Sequence, residues 1–459
     1  MRGWLIFCFL FVRFANATPL ANLVIGQSSF TSVVPNNPLF YPIAGKYIGG
    51  LTYISDIQNN AIYVFNASNL SFVVGSNNGI TSKNGLSHPN FIDTDGTRLV
   101  VADGGSNRVV IWNSLPTNAN STIDVVLGQT TFNDSSLHNP SNTTLNDPVG
   151  LSIANGKLIV ADNKWNRLLI WNKIPNTTNT GADLVLGQPN FTTTTASCTA
   201  LTFNNPSSVY SDGTILVVAD TLNLRVLIWK QFPANNTVPA DIVLGQSNMT
   251  TCATSLQANS MNFLEPTGVY VWDERLYVND FAANRILIWN KVGLLTNGAS
   301  ADAVWGQPNF TTSSYGATQQ TLYGPASLFP VSLTEVYVVD TQNSRVLGFP
   351  VIPSITESPS RSPSKAPSSA PTTSSPSNTP TTSSPSAAPT PKPTKRPTTR
   401  SPSRSPTTSN PTTTPSGHPT PQPTITFERG GTGVQIVTMA ATMGVLFPST
   451  IFWLLLYAK

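Results

Sequence analysis

Short runs of β-branched and aliphatic residues recur throughout residues 23–350, and segments rich in Asn, Ser, Thr, Gly and Pro separate them. Apolar runs of four to eight residues bounded by turn-forming residues are typical of β-strands. Many of the runs end in an Asp or in a Trp. The pattern therefore predicts an all-β domain in this part of the chain.

The runs belong to a unit that occurs six times, and one copy contains Pro148, Asp162, Arg167, Trp171 and Gly187 in that order. The Asp recurs at Asp56, Asp103, Asp162, Asp220, Asp280 and Asp340. An Arg follows five residues later in five copies, at Arg108, Arg167, Arg225, Arg285 and Arg345, whereas the first copy has Ala61. An aromatic residue comes four residues further on, at Phe65, Trp112, Trp171, Trp229, Trp289 and Phe349. A proline precedes the Asp at Pro42, Pro89, Pro148, Pro206, Pro266 and Pro325. Six copies in one register predict a repeat architecture.

Each unit is interpreted as four strands. The first follows the proline, the second ends at the Asp, the third begins at the Arg, and the fourth ends at a Gly. Dipeptides such as Asn155-Gly156 suit a tight hairpin turn between the first two strands. Four-stranded units repeated around an axis form a β-propeller, so we predict six blades within residues 18–352.

The strand count also predicts how the ring closes. The last unit, residues 325–350, contains only three strands, whereas Leu23 to Gln27 has the sequence of a fourth strand and precedes the first unit. We therefore expect the N-terminal strand to complete the last blade, which leaves no open sheet edge there.

The Val-Ala-Asp-x4-Arg-Val-x-Ile-Trp pattern resembles the NHL-repeat family of six-bladed β-propellers over residues 20–352. The resemblance implies the same fold. It leaves the function open, because this ring is shared by proteins that bind RNA, proteins or peptides and by enzymes.

The two ends of the chain predict secretion and attachment to a membrane. Residues 1–17 have the cationic start, apolar stretch and small-residue cleavage site of a signal peptide. Residues 353–424 are almost entirely Ser, Thr and Pro, the composition of a disordered, O-glycosylated stalk. The apolar segment 434–458 follows four small residues, Gly430 to Gly433, which favours a glycolipid-anchor signal over a transmembrane helix. We expect the propeller to be displayed outside the cell.

Charge and histidine content exclude several function classes. Residues 20–352 contain 14 Lys or Arg and 19 Asp or Glu, a net charge of −5, so we expect no nucleic-acid partner. Only His88 and His138 precede the stalk, which rules out a three-histidine zinc site in the propeller. The chain has no nucleophile elbow and no phosphate-binding glycine loop, and we assign no catalytic residue and no resident cofactor.

A calcium site on the ring axis, as in propeller lactonases, is the remaining metal hypothesis. Its candidate ligands lie near the repeat prolines, at Asn90, Asn146, Asn205 and Glu265.

The repeated Asp and Arg are interpreted as a clasp that holds loops, because groups repeated around a ring form the fold. The same reasoning assigns the repeated Trp to packing between blades.

The loops between Asp and Arg also contain Trp165, Leu222 and Phe281. Apolar side chains exposed near the mouth of the ring would form a ligand-binding surface. The alternative is that these three side chains fold back over the blades.

Two further features concern covalent modification. Cys198 and Cys252 occupy equivalent loops of successive units, so we predict a disulfide. Ten glycosylation sequons begin at Asn66, Asn69, Asn120, Asn133, Asn142, Asn176, Asn190, Asn235, Asn248 and Asn309. The propeller, the signal peptide, the stalk, the anchor segment and the sequons together predict a cell-surface glycoprotein that recognises an extracellular protein, peptide or glycan. A calcium-dependent hydrolase and a structural coat glycoprotein are the alternatives.

Overall fold

The computed structural model describes residues 18–75, 79–253 and 257–351. The predicted signal peptide (1–17), the stalk (353–424) and the apolar segment (434–458) lie outside the described residues. Within the described ranges, no helix is long and apolar enough to cross a bilayer.

The described residues form six antiparallel sheets of four strands each. Blade 1 consists of β2 (Pro42–Ile48), β3 (Leu51–Asp56), β4 (Ala61–Asn66) and β5 (Asn69–Val74). Blade 2 consists of β6 (Pro89–Thr94), β7 (Leu99–Asp103), β8 (Arg108–Trp112) and β9 (Val125–Leu127). Blade 3 consists of β10 (Pro148–Ala154), β11 (Lys157–Asp162), β12 (Arg167–Trp171) and β13 (Leu184–Leu186). Blade 4 consists of β14 (Pro206–Ser211), β15 (Leu216–Asp220), β16 (Arg225–Trp229) and β17 (Ile242–Leu244).

Blade 5 consists of β18 (Pro266–Trp272), β19 (Arg275–Asp280), β20 (Arg285–Trp289) and β21 (Ala303–Trp305). Blade 6 consists of β22 (Pro325–Ser332), β23 (Glu335–Asp340), β24 (Arg345–Pro350) and β1 (Leu23–Ile25). Short 3₁₀ turns lie at Gly104–Ser106, Asn163–Trp165, Thr221–Asn223, Phe281–Ala283, Val292–Leu294 and Thr341–Asn343. The described residues therefore form a six-bladed β-propeller.

The ring closes as the strand count predicts. Strand β1 pairs antiparallel with β24, and Leu23, Val24 and Ile25 lie opposite Gly348, Leu347 and Val346. The first strand in the sequence thus becomes the outermost strand of the last blade.

The hydrophobic core is divided among the contacts between blades. Most buried apolar residues of the described chain fall into six clusters, and each cluster combines side chains of two adjacent blades, including blades 6 and 1. The repeated Trp side chains belong to these clusters; Trp229, for example, packs edge-on against Phe203 with ring centroids 6.2 Å apart. The predicted packing role of these residues is confirmed.

The buried Asp–Arg pair holds the loops of each blade together on one face of the ring. In blade 4, Arg225 Nε lies 2.7 Å from Asp220 Oδ2, and both side chains are fully buried. Its Nη1 donates to Met249 O in the loop that leaves the blade, and its Nη2 donates to Thr199 O and Thr202 O in the loop that enters it. We call this face, where fourth strands lead into the next blade, the loop face. The predicted clasp is confirmed.

Blade 1 lacks the Arg, and backbone N–H groups satisfy its buried Asp carboxylate instead. Ala61 replaces it, and the Asp56 carboxylate accepts hydrogen bonds from the backbone N–H groups of Phe40, Tyr41 and Asn59 at 2.6 to 3.2 Å. Burial raises the pKa of the Asp56 carboxyl, and these N–H groups oppose that shift.

The Gly-Gln dipeptide that ends the fourth strand fixes the outer part of the same loops. Gly187 has a φ of +88°, and a Cβ atom there would overlap the ring of Phe203, so only glycine fits. The Gln188 side chain then donates to Asn166 O and Thr195 O and accepts from Thr195 N.

Arg225→Met should destabilise the protein by about 3–5 kcal/mol, because it leaves the buried Asp220 carboxylate without its cation. Arg98→Met is the matched control, since Arg98 pairs with Asp95 where both side chains are partly exposed, and such pairs contribute about 0–1 kcal/mol. Urea denaturation of the full chain measures both changes. Equal losses for the two variants would contradict the role of the clasp.

Candidate functional site

The first strands of all six blades surround the axis and enclose a cavity of about 200 Å³. Its wall includes Lys46, Asp93, Tyr210, Tyr270 and Phe329, each of which lies four residues after a repeat proline. The register of the first strands therefore places one such residue from each blade at the same level; Ser152 is the sixth.

Each first strand has a free edge at the axis, and side chains of the preceding blade bond to it. Asp93 Oδ2 accepts from Ile153 N at 2.8 Å, Ser152 Oγ accepts from Ser211 N, and Ser208 Oγ accepts from Val269 N, both at 3.2 Å. Ser327 Oγ donates to Ile43 O at 2.7 Å and so links blade 6 to blade 1. These contacts satisfy edge groups that would otherwise have no partner.

One ion pair lies in the cavity wall. Lys46 Nζ is 2.8 Å from Asp93 Oδ1 and 5.3 Å from the ring centroid of Tyr270, which packs against Tyr210 at 4.9 Å. Burial disfavours the charged ammonium, but the Asp93 carboxylate and Tyr270 outweigh it, so the pKa of Lys46 is raised. Burial also raises the pKa of Tyr210. No repeated residue type in the sequence marks this cluster, because the equivalent positions of the six blades differ chemically.

A second group of polar side chains lies where the first strands begin, at the mouth of the ring on the loop face. The residues preceding the repeat prolines are Tyr41, His88, Asp147, Asn205, Glu265 and Gly324. Four of them, His88, Asp147, Asn205 and Gly324, have φ values between +50° and +57°. Their N–H groups donate to the side-chain oxygens of Asn60, Asn107, Asn166 and Asn284, respectively, each in the preceding blade.

Glu265 and Tyr41 depart from this pattern for a reason visible in the sequence. The equivalent Asn is replaced by Leu224 before Glu265 and by Ser344 before Tyr41. Without that acceptor, the N–H groups of Glu265 and Tyr41 bond to the Asp of their own blade, at 2.8 and 3.1 Å, and neither residue has a positive φ. In the ring order, only Gly324 lies between these two positions, and it contributes no side chain.

Aromatic residues adjoin Glu265, and the backbone N–H of Phe281 donates to Glu265 O at 2.9 Å. The Phe281 ring covers Gly324, where a Cβ atom would be 2.8 Å from its Cζ. Tyr41 interacts electrostatically with Glu265 and with Tyr323. We call Tyr41, Glu265, Phe281 and Tyr323 the mouth site.

The Glu265 carboxyl is the chemically distinctive group of the mouth site. It is half-buried, and its carboxylate makes no hydrogen bond or ion pair with any residue that the structure describes. Burial and the nearby Asp280 carboxylate raise the pKa of Glu265 to about 7. A cation placed beside it would reverse that shift.

The calcium candidates lie on blades 2 to 5. Asn90 Nδ2 donates to Pro148 O at 3.3 Å, and Asn205 Nδ2 donates to Asn163 Oδ1 at 3.0 Å, so both carboxamides have a partner in the protein. Asn146 donates its backbone N–H to Asp162, and Glu265 belongs to the mouth site. No group of three or more His, Cys, Asp or Glu could hold a metal within the described ranges.

The three apolar candidates have different environments. Trp165 is only 7% exposed, because its indole stacks on the Arg167 guanidinium at 4.7 Å, so the expectation of an exposed contact is wrong for this residue. Phe281 is partly buried in the mouth site. Leu222 is 50% exposed on the loop face.

The modification sites are placed as follows. Cys198 and Cys252 form a disulfide with Cα atoms 6.3 Å apart, which ties the loop entering blade 4 to the loop leaving it. The Asn residues of all ten sequons are exposed. Asn66 ends β4 and Asn69 begins β5, and the others lie between strands.

No family model and no curated protein matches this chain. Several solved structures, however, align with this chain. The WD40 repeats of RRP9 align with 73% of this chain and 100% of that chain at 10% identity and a TM-score of 0.44. A catalytically inactive virginiamycin B lyase from Staphylococcus aureus, crystallised with quinupristin, aligns with 70% of this chain and 98% of that chain at 14% identity and a TM-score of 0.40.

A protein of unknown function from Bacteroides thetaiotaomicron aligns with 73% of this chain and 75% of that chain at 12% identity and a TM-score of 0.42. Such likenesses concern the propeller fold alone. Membership of the NHL-repeat family stays a prediction.

Glu265→Gln should increase stability more at pH 8 than at pH 5. A carboxyl whose pKa is about 7 in the folded protein and about 4.3 when unfolded binds more protons in the folded state. The Glu265 carboxyl therefore adds to the free energy of unfolding below its unfolded pKa, and this contribution is lost as the pH rises to the folded pKa of about 7. Thermal unfolding at several pH values measures this, with Glu335→Gln as the control. A difference between Glu265→Gln and the original chain that does not grow with pH would contradict the assignment.

Proposed function

We propose that this chain is a cell-surface glycoprotein whose propeller is a recognition module for an extracellular ligand, bound at the mouth site on the loop face. The observation that carries the proposal is Glu265, a half-buried carboxylate without a partner among the described residues, in a mouth site that also contains Tyr41, Phe281 and Tyr323. Burying such a carboxylate is costly unless a ligand pairs with it.

The chemistry of the mouth site favours a ligand that carries a basic group. A cation gains both the carboxylate charge and the faces of the surrounding aromatic rings. A lysine or arginine side chain of a protein or peptide and the amino group of a sugar both meet this requirement. An exposed Leu222 on the same face adds apolar area for a larger partner.

The position of the sugars supports the use of this face. Sequons Asn66, Asn69, Asn120, Asn176 and Asn235 belong to connections between third and fourth strands, on the face opposite the mouth site. Asn133, Asn190, Asn248 and Asn309 follow fourth strands, which lie furthest from the axis. Asn142 also follows a fourth strand, and its side chain donates to Ala182 O just before the outermost strand of blade 3. Glycans at these positions would leave the mouth site accessible.

Attachment to the surface is a separate part of the proposal and has its own test. A glycolipid anchor predicts that a phosphatidylinositol-specific phospholipase releases the protein from cells that express the full chain. Protein that stays on the cells and retains Lys459 would instead identify segment 434–458 as a membrane span and contradict the glycolipid anchor.

Recognition is tested with the full glycosylated chain on arrays of Lys- or Arg-containing peptides and their Gln-substituted counterparts, and with glucosamine and N-acetylglucosamine oligomers. We expect the basic member of a pair to bind, and Glu265→Gln to weaken it at least tenfold, because a charge-assisted contact is lost. Affinity should also fall from pH 8 to pH 6, as the carboxylate with a pKa of about 7 becomes protonated.

Glu335→Gln, at the start of β23 on the other face, is the matched control and should bind normally. Equal binding of basic and neutral members, or a Glu265→Gln variant that binds as well as the control, would overturn the mouth site as the recognition site.

A further inference from the structure

The axial cavity contains hydrogen-bond donors that the protein itself does not use. Tyr210 lines it, and its hydroxyl has no acceptor among the described residues. Ser152 Oγ and Ser208 Oγ each accept a backbone N–H from the next blade, so each keeps its own proton. Neither hydroxyl donates to any residue within the described ranges. The Lys46 ammonium has three N–H donors; Asp93 takes one and the Tyr270 hydroxyl oxygen takes a second, so one donor remains.

The acceptor side chains of the cavity are already occupied. Asp93 Oδ1 receives Lys46 and the N–H of Thr94, and its Oδ2 receives the N–H of Ile153. Ser211 Oγ donates to Ile215 O and accepts from Gly213 N, so it is committed within its own turn. The side chains of the wall therefore offer more donors than acceptors.

The charges in the cavity wall also favour an anionic ligand. The pKa of Lys46 is raised, because Asp93 and Tyr270 outweigh the effect of burial, so the ammonium stays charged. The carboxylate of Asp93 is held by two backbone N–H groups as well as by Lys46, which ties its charge to the wall. An anion that enters the cavity meets one cation and several hydroxyl protons.

From this geometry we propose that the axial cavity is a binding site for a small carboxylate, whose oxygens accept hydrogen bonds from Lys46, Tyr210 and the hydroxyls of Ser152 and Ser208. A volume of about 200 Å³ is below the roughly 300–1,000 Å³ of pockets for drug-sized ligands, so the ligand has few carbon atoms. This site is distinct from the mouth site and does not rest on the proposed recognition function.

The test compares acetate with acetamide, a neutral molecule of nearly the same shape, by calorimetry on the full chain at pH 7 and constant ionic strength. We expect acetate to bind at least ten times more tightly, because only acetate carries the charge that Lys46 pairs with. Acetate should also raise the melting temperature in proportion to its saturation.

Tyr210→Phe removes one donor but keeps the packing against Tyr270, and should weaken acetate binding about five- to tenfold without lowering the melting temperature. Tyr315→Phe is the matched control, since Tyr315 is 71% exposed and lies outside the cavity wall. Lys46→Met tests the charge, and Tyr210→Phe remains decisive if Lys46→Met fails to fold.

Three results would each overturn the proposal: no binding of acetate, equal binding of acetate and acetamide, or the same acetate affinity in Tyr210→Phe and Tyr315→Phe. The first result would identify the cavity as a water-filled channel in which solvent satisfies the hydroxyls. Because the mouth site is assayed with basic ligands and Glu265→Gln, failure of one site leaves the other unaffected.

Discussion

The buried Asp–Arg pair is the interaction on which the ring depends. A propeller has to hold long connections across one face while its blades touch only their neighbours, and the described loops contain short 3₁₀ turns but no α-helix that could pack against them. A guanidinium is suited to this task because its five N–H donors lie in one plane. Arg167, for example, joins Asp162 to Phe191, Ser141 and Thr144, so one side chain fixes two successive connections. Leaving any of these carbonyls buried without a donor would be costly.

The repeat explains why so much of the fold follows from sequence. Residues that recur in one register, such as Asp162 and Arg167, bear a common structural constraint, and their spacing alone gave the strands, the loop clasp and the closing strand. The axial cavity could not be predicted in the same way, because its residues share a register position but no residue type. Lys46, Asp93 and Tyr210 occupy the same register position but differ chemically, so no repeated residue type marks them. Their convergence depends on six strands meeting at one axis, which is a property of the assembled ring.

The mouth site shows how a departure from the repeat creates a distinct environment. Asn166 directs the backbone of Asn205, and Asn284 directs that of Gly324, by accepting their N–H groups. Leu224 cannot do this, so Glu265 takes another backbone conformation and its carboxyl remains without a partner among the described residues. The substitution was readable in the sequence, but its effect was not, because the bond it removes joins residues about 40 positions apart in different blades. For Trp165 the sequence predicted an exposed side chain, and the structure shows a buried one. It interrupts a polar loop, yet the guanidinium beneath it supplies a surface on which it is buried.

The closing strand has a mechanical consequence. The chain leaves the propeller from β24, and β24 is hydrogen-bonded on one side to β23 and on the other to β1. Tension on the residues that follow Val351, directed along the strand, would therefore load two hydrogen-bond ladders in shear at the same time, whereas an outermost strand would have only one ladder to resist it. By placing the first strand of the sequence outside the last, the fold embeds within a sheet the strand from which the chain continues.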